Sequence, residues 1–155
     1  MSVTIILGSK NDSAIAKGAV DILKELGIRY AVYVASAHRT PKRVQELVET
    51  SDADVFIAVA GLSAALPGVV AAHTTKPVIG VPVSGKVNLD SILSIVQMPP
   101  GVPVAAVGLD MGANAALLAA EMLAIKDNAL DTKLKARRKI MYDKVIEDSK
   151  EVSSL

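Results

Sequence analysis

Cysteine is absent from the 155 residues, and histidine occurs only twice, as His38 and His73. The absence of cysteine excludes a disulfide scaffold, a thiol nucleophile, an iron–sulfur cluster and a cysteine-based zinc site. Two histidines are too few for a histidine-rich metal centre. We therefore expect neither a metal site nor a bound cofactor.

Aromatic residues and net charge are also scarce. Tryptophan is absent, there are one phenylalanine and three tyrosines, and 17 Lys and Arg against 16 Asp and Glu give a formal net charge of +1. A nucleic-acid-binding domain usually has a clear basic excess, and readers of single strands stack bases on aromatic side chains. We expect no nucleic-acid partner. A small anionic ligand stays compatible, because one arginine or a few backbone N–H groups can hold a phosphate.

One uncharged stretch, residues 55–75, is long enough to cross a bilayer. However, Gly61, Pro67 and Gly68 interrupt it, and its first part is rich in β-branched residues, which favours a buried strand, a turn and a buried helix. The amino terminus lacks the basic segment and the long apolar run of a secretory signal. We expect a cytoplasmic protein without a membrane partner.

Short apolar runs alternate with longer amphipathic segments. The apolar runs cover residues 3–7, 30–35, 55–60, 77–81 and 103–107, and the helical patterns cover 13–26, 41–50, 67–73, 89–96 and 112–124. Runs that are continuously apolar are typical of parallel strands covered on both faces. The alternation predicts an α/β fold, a three-layer αβα sandwich around a five-stranded parallel sheet of flavodoxin-like or Rossmann-like type. By analogy we expect the strand order 2-1-3-4-5.

The segment after residue 126 differs in character. We predict one catalytic domain over residues 1–126 and a charged helical extension over 127–155, with Leu130, Leu134, Met141 and Val145 on one face. An apolar stripe on an added helix must be buried against something. We favour a neighbouring subunit, because the sandwich already has helices on both faces, and the alternative is the helix's own domain.

Ligands of open parallel sheets bind beyond the carboxyl ends of the strands. The loop Gly-Ser-Lys-Asn-Asp at 8–12 can present backbone N–H groups to an anion, or Asn11 or Asp12 can simply cap the next helix. The small residues at 61–68 permit close approach of a ligand, or equally tight packing of a helix on the sheet. Further along, Asp110 is expected to be the N-cap of the helix that begins at residue 112.

The loop at 36–41 combines a hydroxyl, an imidazole and a guanidinium. Histidine is the side chain that titrates near neutrality, and an adjacent positive charge favours the neutral imidazole that a general base needs. Thr40 and Pro41 have the residue types of a helix start, with Thr40 as N-cap. The alternative is therefore a surface histidine beside an ordinary helix.

Four motifs together resemble the PurE family of purine biosynthesis, in the same order from about residue 3 to 126. They are Gly-Ser-Lys-Asn-Asp at 8–12, Ser-Ala-His-Arg-Thr-Pro at 36–41, Ser-Ile-Leu-Ser-Ile-Val-Gln-Met-Pro at 91–99 and Asn-Ala-Ala-Leu-Leu-Ala at 114–119. The resemblance implies conversion of N5-carboxyaminoimidazole ribonucleotide to 4-carboxy-5-aminoimidazole ribonucleotide. The alternatives are direct carboxylation of aminoimidazole ribonucleotide with CO2 and, in another class, a non-catalytic nucleotide-binding sensor module.

The resemblance also implies roles for nine residues. His38 is the expected proton carrier, Asp12 is expected to take the ribose hydroxyls, and the rest bind substrate. Ser9, Asn11, Ser36 and Arg39 are expected at the 5′-phosphate, and Gly61, Ser63 and Leu66 at the base and the migrating carboxylate. The family forms octamers, so we expect a homo-oligomer. One position departs from the microbial branch, which usually has a second histidine where this chain has Ala65.

Overall fold

The computed structural model describes residues 1–153, so the last two residues of the expected extension lie outside the described part. A parallel sheet has the order β2-β1-β3-β4-β5, as predicted. Its strands are β1 (Ser2–Leu7), β2 (Arg29–Val34), β3 (Val55–Ala60), β4 (Val78–Pro82) and β5 (Ala105–Ala106). The prediction of a five-residue β5 was wrong, since only Ala105 and Ala106 pair with β4, and Pro103 at the start of the predicted run has no N–H to donate.

Helices cover both faces of the sheet. They are α1 (Ser13–Leu26), α2 (Pro41–Glu49), α3 (Leu66–Ala72), α4 (Asn88–Val96), α5 (Gly112–Ala124) and α6 (Asn128–Val152). α1 ends as expected at Gly27, whose φ of 75° is left-handed. Residues 55–75 form β3, a turn and α3, and no helix in the described range is long and apolar enough to cross a membrane.

Two apolar cores lie on opposite faces of the sheet. On one face Ile5 and Ile57 are buried with Leu23 of α1, together with much of α5 and the start of α6. On the other face Phe56 is buried with Val44 of α2, together with parts of α3 and α4. The two cores bury β1 and β3, and two of the loops with chemical side chains begin at the carboxyl ends of these strands, whereas the loop with His38 and Arg39 follows β2.

β2 does not fit the expectation that both faces of every strand are covered. Val32, Tyr33 and Val34 are 40%, 38% and 50% exposed, whereas every residue of β1 and β3 is buried. β2 is an edge strand that pairs only with β1, so a single chain leaves its outer flank uncovered.

The apolar stripe of α6 is divided between two environments. Leu130 and Leu134 are buried in the core beside α1 and α5, and the Lys133 ammonium donates to the last carbonyl of α1 at 2.8 Å. Met141 and Val145, further along the helix, are 59% and 65% exposed. Packing against the helix's own domain is thus correct for the first half of the stripe, and packing against another subunit stays a prediction for the second half.

Candidate active site

A cavity of about 220 Å³ opens at the carboxyl ends of β1, β2 and β3. The strand order places the loops after these three strands side by side, although they are distant in sequence. All nine residues expected at the site line this cavity: Ser9, Asn11, Asp12, Ser36, His38, Arg39, Gly61, Ser63 and Leu66.

Arg39 joins the first two loops. Its Nη2 donates to the Gly8 carbonyl oxygen at 2.7 Å, and its Nε donates to Ser36 Oγ at 3.1 Å. A guanidinium has five N–H donors, so these two bonds hold it in place and leave the others for an anionic ligand. The sequence could not reveal the contact with Gly8, since it depends on which strands are neighbours.

The hydroxyl groups of the two loops stabilise local turns. Ser9 Oγ accepts from the Asn11 N–H at 3.1 Å, so its own O–H remains available to donate to a ligand. Thr40 stands at the N-cap of α2, but its side chain makes no cap bond and instead accepts from the Ser36 N–H at 2.9 Å. The expected cap was therefore right in position and wrong in bonding, because closing the 36–40 turn uses the same oxygen.

Asp12 is the buried acid of the cavity, at 8% exposed. Burial raises the pKa of its carboxyl above the ordinary value, and a backbone hydrogen bond from Ser9 and the charge of Arg39 act in the opposite direction. Asp12 stands at the N-cap of α1 but makes no side-chain cap bond. The capping interpretation is therefore wrong for this carboxyl, whose two oxygens have further acceptor positions for ligand hydroxyls.

His38 lies at the exposed rim of the cavity. Within residues 1–153, no hydrogen bond or ion pair joins its imidazole to another side chain or to the backbone. Both ring nitrogens are consequently available to a bound molecule, one to give a proton and the other to take one.

The third wall is the loop after β3. Leu66 is 2% exposed and forms the floor, Ser63 is exposed, and Gly61 presents bare backbone. Ala65 also lines the cavity, so the position that departs from the microbial branch belongs to the site itself. With Ala65 there, His38 is the one imidazole among the residues that line this cavity.

A larger cavity, about 1070 Å³, lies at the opposite end of the sheet. His73 lines it, half-buried, with its Nδ1 3.6 Å from an oxygen of Glu49. None of the nine expected residues is there, and ligands of open parallel sheets bind at the carboxyl ends of the strands. His73 is a helix-end histidine, as its place in the sequence indicates, and the smaller cavity is the candidate active site.

Comparison with known proteins agrees with this assignment. The model of the AIR carboxylase family matches residues 2–144. The N5-carboxyaminoimidazole ribonucleotide mutase of Methanocaldococcus jannaschii is 56% identical over 154 residues, covering 99% of this chain and 98% of that one. The protein of the same name from Pyrococcus abyssi is 51% identical over 144 residues, covering 90% and 83%.

Solved structures give the same result. The crystal structure of Treponema denticola PurE superposes with a TM-score of 0.88 at 32% identity, covering 97% of each chain. The family match and the structural match both extend across the sheet and the loops that form the cavity. The chain belongs to the AIR carboxylase family.

Proposed function

We propose that this protein converts N5-carboxyaminoimidazole ribonucleotide to 4-carboxy-5-aminoimidazole ribonucleotide, a step of purine biosynthesis. The proposal rests on one observation: His38, the buried Asp12 and Arg39, which ties two loops together, all line one cavity. The Methanocaldococcus jannaschii relative, which matches almost the whole chain, is named as a mutase of this reaction and supports the same conclusion.

The two loops tied by Arg39 suit the 5′-phosphate. Ser9 and Ser36 offer hydroxyl groups, Asn11 offers its side-chain amide, and Arg39 offers the guanidinium donors that its two structural bonds leave free. Charge-assisted hydrogen bonds of this type are the strong ones. Asp12 then faces the ribose, whose hydroxyls donate to its carboxyl and thereby favour the ionised form against burial.

The reaction exchanges a nitrogen–carbon bond for a carbon–carbon bond. The exocyclic N–CO2⁻ bond breaks, its electron pair stays on nitrogen, and protonated His38 supplies the proton to that nitrogen. Carbon 4 of the electron-rich ring attacks the released CO2, and neutral His38 removes the carbon 4 proton to restore aromaticity. His38 ends as it began, in the protonated form, so these reaction steps require no oxidant, reductant or other proton source.

The loop after β3 confines the CO2. Leu66 closes the floor, and the backbone N–H groups near Gly61, with the Ser63 hydroxyl, are available to a carboxylate. Excluding water matters, because a carbamate that loses CO2 to solvent cannot be converted to product.

A second candidate reaction is direct carboxylation of aminoimidazole ribonucleotide by CO2. The observation that favours it is Ala65, which removes from the cavity the second histidine usual in the microbial branch. The sensor alternative has less support, since a binding module has no need for an imidazole at the rim of its cavity, and the relatives described above are named as mutases.

We also propose a homo-oligomer, with the octamer of the family as the expected assembly and a cytoplasmic location. Residues 1–126 are then the catalytic domain, and the extension from 127 onward packs in the assembly. The exposed second half of α6 supports this, with Met141, Tyr142 and Val145 each more than half exposed, and the uncovered edge at Tyr33 offers a further contact.

One assay separates the three functions. Ultraviolet absorbance is followed with freshly made N5-carboxyaminoimidazole ribonucleotide, and separately with aminoimidazole ribonucleotide plus bicarbonate. We expect rapid turnover of the carbamate alone. Turnover only with bicarbonate identifies a direct carboxylase, and binding without turnover of either substrate identifies a sensor, so each of these results overturns the proposal.

A further inference from the structure

Asp110, in the loop after β5, has a backbone conformation that side chains rarely adopt. Its φ of 60° makes it the single non-glycine residue with positive φ within residues 1–153. Aspartate tolerates the left-handed region better than most residues, yet such positions persist only where surrounding contacts demand them. The sequence suggested an N-cap of α5, but the structure has Met111 there, so Asp110 needs another explanation.

Asp110 bonds instead to the last residue of β4 and to the loop that follows it. Its N–H donates to the Pro82 carbonyl at 2.9 Å, and its carboxylate Oδ1 accepts from the Ser84 N–H, also at 2.9 Å. The left-handed turn lets one residue hold two backbone groups on either side of Val83. We call these two hydrogen bonds the Asp110 strap.

The residue held by the strap touches the active site. The Val83 N–H donates to the carbonyl of Ala60 at 3.0 Å. Ala60 directly precedes Gly61, in the loop after β3 that lines the cavity. The Val83 side chain lies 3.6 Å from the position that a Cβ on Gly61 would occupy. Val83 therefore packs behind the cavity wall at Gly61, and the Asp110 strap holds the residues before and after Val83 in place.

We propose that Asp110 is a positioning residue. It keeps the cavity wall at Gly61, the Gly61 wall, in place beside the reacting carboxylate, so that released CO2 recombines before it escapes. This inference rests on the proposed function. Asp110 does not line the cavity and touches no reacting atom, so its effect passes through Val83 to Gly61. Misplacing a wall by a fraction of an ångström affects capture of CO2 more than binding of the nucleotide, whose expected anchors lie on the loops after β1 and β2.

Two substitutions separate the carboxylate from the backbone conformation. Asp110→Asn keeps an acceptor oxygen and a residue type that tolerates positive φ. Asp110→Gly adopts the same φ without strain but has no acceptor for the Ser84 N–H. Asp110→Ala, which also lacks the acceptor, serves as a second test should the glycine variant fold poorly.

Matched controls are available in the chain. Ser84→Ala leaves the strap intact, because only the backbone N–H of Ser84 takes part. Asp127→Gly removes a carboxylate that caps α6 through the Ala129 and Leu130 N–H groups, at 2.9 and 3.0 Å and remote from the cavity. It loses a comparable hydrogen-bonding group without touching the Gly61 wall.

The readout is the loss of CO2 during turnover of N5-carboxyaminoimidazole ribonucleotide. The reaction is run in ¹³C-bicarbonate with carbonic anhydrase, and two quantities are measured after correction for uncatalysed decay: aminoimidazole ribonucleotide released per product, and ¹³C in the product. We expect Asp110→Gly and Asp110→Ala to raise both quantities and to lower kcat about tenfold, with KM within about twofold. Asp110→Asn, Ser84→Ala and Asp127→Gly should match the parent protein.

Three results would overturn the inference. Folded Asp110→Gly and Asp110→Ala proteins that retain parental CO2 loss and kcat exclude the strap from catalysis. If Asp110→Asn loses as much CO2 as the glycine variant, the acceptor oxygen is not what matters. If Asp127→Gly loses as much CO2 as Asp110→Gly, the effect is one of general destabilisation. If instead the parent protein makes no product from the carbamate, the proposed function itself has failed, and the inference falls with it.

Discussion

Arg39 Nη2 and the Gly8 carbonyl oxygen lie 2.7 Å apart, although the residues are separated by 31 positions in the chain. This hydrogen bond ties the loop after β2 to the loop after β1 and holds Arg39 at the cavity that both loops line. The same side chain thus assembles the site and is expected to bind the substrate's phosphate.

The Arg39 contact leads to a prediction about ligand affinity. Arg39→Ala should weaken binding of aminoimidazole ribonucleotide by about 1.5–3 kcal/mol, the range for hydrogen bonds to charged groups. Isothermal titration calorimetry measures the effect, with Arg43→Ala as control, since Arg43 is an exposed arginine outside the cavity. An unchanged dissociation constant would mean that the phosphate binds elsewhere.

Asp12 predicts a dependence of stability on pH. Its pKa is raised in the folded state, so ionising it disfavours folding, and the protein loses stability as the pH rises from the ordinary value, 3.8, through the raised one. Asp12→Asn should therefore increase the free energy of unfolding at pH 7, while nucleotide binding weakens.

The Asp12 difference is measured by urea denaturation of both proteins from pH 3 to 7. The gain in the asparagine variant should shrink as the pH falls and vanish below the ordinary pKa of aspartate. A variant that is less stable than the parent at pH 7, or a gain that grows on acidification, contradicts the assigned environment of Asp12.

The divided stripe of α6 predicts two different effects of truncation. Leu134→Ala removes a buried side chain, so it should lower the free energy of unfolding by about 2–5 kcal/mol. Met141→Ala changes an exposed position and should alter monomer stability by less than about 0.5 kcal/mol, while weakening the oligomer.

Urea denaturation and sedimentation equilibrium together test the α6 prediction. If Met141→Ala leaves the assembly unchanged and Leu134→Ala leaves stability unchanged, the division between an inner and an outer half of the stripe is wrong.

Much of the fold could be predicted because the hydrophobic periodicity and the residues that end helices agree with the tertiary structure. β3, α1 and α5 have the predicted bounds, since Gly27 ends α1 and the alanine-rich α5 is a strong helix former. β5 was overestimated because the apolar run around Pro103 looks like a strand, whereas only Ala105 and Ala106 pair with β4. The exposure of β2 followed from its position at the edge, which composition does not encode.

The site was predictable as a set of residues and not as a set of contacts. A titratable residue beside Arg39 after a strand indicated chemistry, and the resemblance to a family assigned roles. The bond of Arg39 to Gly8, the use of the Thr40 hydroxyl within its own turn and the strap at Asp110 depend on which loops become neighbours. Such contacts emerge only from the assembled sheet.

The central claim is that one imidazole, His38, carries the proton in both directions. The most direct measurement is turnover of N5-carboxyaminoimidazole ribonucleotide by His38→Asn, beside binding of aminoimidazole ribonucleotide and beside a His73→Asn control at the far end of the sheet. The account predicts that His38→Asn binds the nucleotide with a dissociation constant near the parental one and produces no detectable product, while His73→Asn is fully active. Near-parental turnover by His38→Asn would contradict it.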